Sequence, residues 1–96
     1  MEILITYDIN TEDKAGKRRL RRVAQTCEKY GQRVQYSVFE CDLDQAQLEV
    51  LMHRIEKLID KESDSVRFYR LREPRDRYLR VIGHELAHDL HEPLVL

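Results

Sequence analysis

His84, Glu85 and His88, in the stretch GHELAH, spell H-E-x-x-H. On a helix that spacing sets two imidazoles on one face for zinc, with the glutamate placed as a general base. A hydrolytic zinc site also needs a third protein ligand, an open coordination position and a cleft. The nearest candidate after His88 is His91, which on a helix lies about 10 Å along the axis from His84. Ligands bonded at about 2 Å do not easily share one ion across that gap. Pro93 also ends the helix almost at once. His84, His88 and His91 line one face and Leu86 and Leu90 the other. The leucines then pack on the body of the protein and the histidines face water, open to adventitious zinc or nickel. The match is read as a surface histidine stripe, not a protease centre.

Asp8 is the more promising acid. It ends an apolar strand just before a polar loop, where side chains are commonly projected towards a site. Asn10, Thr11 and the basic run KAGKRRLRR follow it closely. A carboxylate beside cations suits Mg²⁺ held against phosphate, because that ion takes one or two carboxylates plus water and substrate oxygens. One aspartate is a poor site, but a twofold dimer repeats each residue across its interface and brings two copies of Asp8 together. The residues leave a second reading open, in which Asp8 caps the following turn.

The basic run offers binding chemistry. Lys14, Lys17, Arg18, Arg19 and Arg22 cluster near the start of a helix, on faces away from its apolar stripe. Guanidinium groups make paired hydrogen bonds to phosphate, and such contacts read backbone, not base sequence. Tyr7, Tyr36 and Phe39 are expected to pack in the core or sheet. Ser37 is a nucleophile only if a base approaches it. A glycine-rich phosphate loop is missing, as is the aromatic context of an RNA-recognition domain.

The elements that must position these residues follow from the pattern. EILITYD reads as a central strand ending at Asp8. From Lys14 to about Tyr30, Leu20, Val23, Ala24 and Cys27 recur at helical spacing, and Gly31 stands where a C-terminal cap belongs. RVQYSVFECDL reads as two short strands or one bent through Ser37. Asp44 opens a second helix with Gln47 completing a capping box. The stripe of that helix is Leu48, Leu51, Met52, Ile55, Leu58 and Ile59. DSVRFYRL is a strand, EPRDR a turn and YLRVIG a short last strand near 78–83, leaving 84–96 as a tail. The order β-α-β-β-α-β predicts a ferredoxin-like α+β sandwich over residues 1–83, with an additional C-terminal strand.

Ninety-six residues make one domain with a core that is marginal alone, which makes pairing with a second copy unsurprising. No membrane span or signal peptide is recognisable. Cys27 and Cys41 suit small buried hydrophobes in a reducing cytoplasm. The net charge of −1 conceals segregation: residues 14–33 carry eight Lys or Arg against Glu28 alone, and residues 66–80 six Arg against two acids. Two such segments are consistent with a polyanion-binding face, or with well-solvated surfaces.

Four stretches, ITYDIN at 5–10, GKRRLRRVAQTCEKYG at 16–31, RVQYSVFE at 33–40 and DSVRFYRL at 64–71, resemble the CRISPR-associated Cas-two family in kind and order. IGHE at the start of the tail resembles some members too. The resemblance implies a symmetric homodimer whose C-terminal strands add to the partner's sheet. It implies a small spacer-acquisition subunit that binds double-stranded DNA and bridges copies of the CRISPR integrase subunit. For some members it implies metal-dependent cleavage of single-stranded RNA or duplex DNA. The residue matching Asp8 is then catalytic and holds Mg²⁺ shared by two protomers. Residues matching Tyr7, Arg19, Arg22, Arg33, Ser37 and Phe39 lie around that site or bind nucleic acid. A stand-alone, toxin-like metal-dependent ribonuclease is the alternative.

Overall fold

A computed structural model describes residues 1–72 and 79–83 of the chain. The elements run β1 (Glu2–Asp8), α1 (Lys14–Glu28), β2 (Gly31–Gln35), β3 (Val38–Asp42), α2 (Gln45–Leu58) and β4 (Ser65–Leu71). The four strands form an antiparallel sheet in the order β2-β3-β1-β4. This is the expected β-α-β-β-α-β sandwich, with β1 central. Residues 79–83, the described part of the expected last strand, are in neither helix nor strand. His84, Glu85, His88 and His91 lie outside the described residues, as does the 84–96 tail.

Alternation along the strands decides which side chains meet the helices. Ile3, Ile5 and Tyr7 of β1 and Phe39 and Cys41 of β3 are buried with Val23 and Cys27 of α1 and Leu51 and Ile55 of α2. Glu2, Leu4, Thr6 and Asp8 therefore occupy the other face of β1. Both cysteines are reduced and buried. Burial pushes the Cys27 thiol up to about 11 and Cys41 to about 12, so both stay protonated as small hydrophobes.

The capping box of α2 forms as read. Asp44 Oδ1 accepts from the Gln47 backbone N–H at 2.8 Å, and the Asp44 N–H donates to Gln47 Oε1 at 2.9 Å. Met52 departs from its expected place in the stripe, being 43% exposed beside the buried Leu51.

The hairpin resolves the choice in the middle of the chain. It is two strands joined at Tyr36 and Ser37, with one extra residue in β2 between Arg33 and Gln35. Such a bulge bends its strand and sharpens the local twist.

Gly31 does not cap α1. The helix ends at Glu28 and tightens through i→i−3 bonds, Lys29 N–H to Thr26 C=O and Tyr30 N–H to Cys27 C=O. Gly31 begins β2, and a Cβ there would collide with the Glu40 carbonyl and Cys41 Sγ. Close approach of two strands is what requires glycine here. Gly31→Ala should cost about 1–3 kcal/mol, the usual penalty for forcing atoms into a packed site. Urea unfolding would read this as a lower midpoint with an unchanged slope. A loss under about 0.5 kcal/mol, the range of neutral surface changes, would mean that β2 shifts freely.

Candidate functional site

Asp8 is the last residue of β1 and pairs with Ser65 of β4. It is exposed on the sheet face turned away from the helices. Among the described residues its carboxylate has no hydrogen-bond or ion-pair partner. The turn-capping role open to Asp8 is taken instead by Asn10, whose Oδ1 accepts the Glu12 N–H at 2.9 Å. The register also sets Arg67 opposite Thr6 on this face, one diagonal step from Asp8. Arg67 donates to the Tyr69 hydroxyl at 3.2 Å. The sequence did not single out Arg67. Its signal was the alternation of β4, readable only once the pairing with β1 is known.

Among the described residues no cluster of three or more His, Cys, Asp or Glu could hold a metal ion. Among the described residues, the end of β1 thus offers Asp8 as one free carboxylate. That donor set fits Mg²⁺ only where a second protomer or a bound phosphate completes the coordination.

The loop after Asp8 is held from two sides. The first turn of α1 leans on it so closely that a Cβ at Gly16 would collide with the Asn10 carbonyl. From the other side, buried Asp64 accepts the Asn10 N–H at 2.9 Å. Asp64 also accepts the Asp60 N–H at 2.9 Å and Arg19 Nε at 2.7 Å. Burial alone would raise the Asp64 pKa. The Arg19 hydrogen bond and the two backbone donors outweigh it and hold the carboxyl below its ordinary value. Arg19, expected among the nucleic-acid contacts, is also the partner of a buried acid. Asp64 opens the DSVRFYRL stretch, where no motif or periodicity marks its role.

The remaining cations divide by helix face. Lys14, Arg18 and Arg22 recur at i, i+4, i+8 along α1, with Lys17 on the neighbouring flank, and all four are exposed. None has a side-chain partner among the described residues. Arg33 lies over the Phe39 ring, 5.2 Å from its centroid, with Glu28 3.6 Å away.

Tyr7 and Phe39 stack with centroids 6.2 Å apart on the helix-facing side, opposite the Asp8 carboxylate. The Tyr7 hydroxyl donates to the Tyr36 carbonyl at 3.0 Å, and the Tyr7 N–H donates to the Ser37 carbonyl at 3.1 Å. Burial raises the Tyr7 phenol above its ordinary value, with Arg33 opposing, so it remains a donor. Ser37 thus comes to the end of β1 through its backbone, and the rings of Tyr7 and Phe39 support that end from behind.

Comparison with known proteins places this arrangement. Residues 1–78 match the family model described as CRISPR associated protein Cas2. The chain is 57% identical over 96 residues to the CRISPR-associated endoribonuclease Cas2 1 of Moorella thermoacetica, covering 100% of both chains. It is 47% identical over 95 residues to the CRISPR-associated endonuclease Cas2 of Halalkalibacterium halodurans, covering 99% of each. The crystal structure of Streptococcus pyogenes Cas2 at pH 6.5 superposes with a TM-score of 0.78 at 48% identity. That match covers 86% of this chain and 100% of the other.

Proposed function

The chain belongs to the CRISPR-associated Cas2 family, and from that premise we propose that it is a homodimeric CRISPR adaptation subunit. In this role it binds duplex DNA and bridges copies of the integrase subunit. The observation that carries the reading is the exposed row of Lys14, Arg18 and Arg22 with Lys17 beside it, unpaired by any acid among the described residues. Unpaired cations at one-turn intervals suit a phosphate backbone, whose contacts position a protein without reading bases. Among the described residues no helix is long and apolar enough to cross a membrane.

Salt titration tests this. A protein neutralising Z phosphates of B-DNA loses affinity with a log–log slope of about −0.9Z. Arg18→Ala and Arg22→Ala should each flatten the slope by about 1 and weaken all duplex sequences alike. Gel shifts of a prespacer-length duplex, with the integrase subunit present, would check it. Affinity insensitive to salt, or unchanged by both substitutions, would remove α1 from the interface.

A second reading is favoured by the free carboxylate of Asp8 and by the endonuclease names of the relatives. In it, Asp8 from each of two protomers would hold Mg²⁺ and the dimer would cleave RNA or DNA. When bound, the ion supplies an activated water and neutralises charge on the scissile phosphate. Asp8 would hold it, and Arg67, on the same face, would face the developing negative charge. The reading needs no further carboxylate from one chain. A toxin-like ribonuclease acting alone would use the same residues, without the integrase subunit.

A further inference from the structure

A cleft of about 440 Å³ opens on the helix side of the sheet, between α1 and the β2–β3 turn. Its walls include Lys17 and Arg21 from α1, Arg33 from β2 and Tyr36 from the turn. Glu28, the acid in the wall, is already opposed by Arg33. Lys17 and Arg21 are exposed and have no side-chain partner among the described residues. The cleft is therefore electropositive.

Tyr36 is unusual in this setting, being 90% exposed at a hairpin tip. An aromatic ring on a turn is often no more than solvated surface, but this turn is fixed. Tyr7 holds it twice, through its hydroxyl to the Tyr36 carbonyl at 3.0 Å and through its N–H to the Ser37 carbonyl at 3.1 Å. An exposed ring on a pinned turn loses little backbone freedom when something stacks on it. The combination of an open aromatic face with a cationic wall suits a nucleotide whose base is free of a helical stack.

We propose that this cleft binds an unpaired nucleotide, with its base on the Tyr36 ring and its phosphates against Lys17 and Arg21. The site is separate from Asp8, which projects from the opposite face. It shares Lys17 with the duplex row but goes beyond the contacts of Lys14, Arg18 and Arg22 through Arg21 and Tyr36. A stacked pair has no free base face to offer, so the cleft selects single-stranded segments, such as frayed or overhanging ends.

The test is fluorescence anisotropy with a short labelled oligothymidylate and, separately, a labelled duplex. Full-length chains carrying Tyr36→Ala, Tyr36→Phe, Arg21→Ala or Arg18→Ala would be compared. Tyr36→Ala should weaken the single strand roughly tenfold, the loss of one stacked base, and leave the duplex within about twofold. Tyr36→Phe keeps the ring and should bind like the parent. Arg21→Ala should flatten the salt slope for the single strand alone. Because Tyr36 is exposed, thermal melts of the variants should superimpose on the parent.

No binding of oligothymidylate by the parent, or equal losses on both probes, would overturn the proposal. So would a Tyr36→Ala chain that binds the single strand like the parent. Loss of duplex affinity in Arg18→Ala with the single strand unaffected supports two separate sites. If duplex binding fails altogether while single-strand binding depends on Tyr36, the duplex reading falls and the cleft stands.

Discussion

Asp64→Ala should cost about 3–5 kcal/mol of folding stability, the range for breaking a buried charged pair. The side chain of Asp64 is fully buried, and it is the acceptor for two backbone N–H groups and Arg19 Nε. Removing it takes the acceptor from three part-buried donors at once, and an unsatisfied donor costs up to about 1–3 kcal/mol where water cannot reach it. Urea denaturation would measure the loss. A change under about 1 kcal/mol would mean that water reaches the three donors and the pair is ornamental. Asp64→Asn should fall between, because an amide oxygen still accepts one N–H but leaves the guanidinium without its counter-charge.

The same carboxyl predicts a pH dependence. Its pKa in the folded chain lies below the ordinary 3.8. For a depressed acid, the stability it contributes is complete above the unfolded value and is lost as pH falls through the folded one. The parent should therefore lose stability as pH drops below about 4. Asp64→Ala should lack this part of the acid limb and start from a lower plateau. The consequence reaches function, because Asp64 joins Asn10, two residues after Asp8, to Ser65, the strand partner of Asp8. It is a positioning residue for both segments that bracket the candidate metal ligand.

That role shows where a sequence stops being legible. The helical stripes of α1 and α2, Met52 excepted, the capping box at Asp44 and the central strand ending at Asp8 are local patterns, and they are legible in the sequence to within a few residues at their ends. Arg19 and Asp64 are 45 positions apart, and no periodicity joins them. Read along the helix, Arg19 is one more cation in a basic run. In the fold, it lies on the flank of α1 that meets Asp64. Gly31 failed for a related reason. A glycine after a helix suggests a left-handed cap, but its need here comes from the neighbouring strand. The rings of Tyr7 and Phe39 were expected near the site. The period-2 alternation that exposes Asp8 turns Tyr7, one residue earlier, inward. The site's near neighbours by sequence are thus its support from behind, and Arg67, 59 positions away, shares its face.

If the chain cleaves nucleic acid, Asp8→Asn should lower the rate by at least about a hundredfold. Loss of an outer partner of a metal ligand already costs about 10–100-fold, and Asp8 would be a direct ligand. The substitution keeps size and hydrogen-bonding capacity but removes the charge. Because Asp8 is exposed and makes no contact with its carboxylate among the described residues, Asp8→Asn should melt like the parent. That independence from folding separates it from Asp64→Ala, which should damage stability and cleavage together. The measurement is cleavage of end-labelled duplex DNA and single-stranded RNA, with Mg²⁺ or EDTA. Loss of products both in EDTA and in Asp8→Asn, with duplex binding intact, would assign Asp8 to the chemistry. Products that survive in Asp8→Asn would remove it from that role. Absence of cleavage by the parent, under conditions where it still binds duplex, would leave an architectural subunit. In that case the free carboxylate at the end of β1 would have no chemical task to explain it.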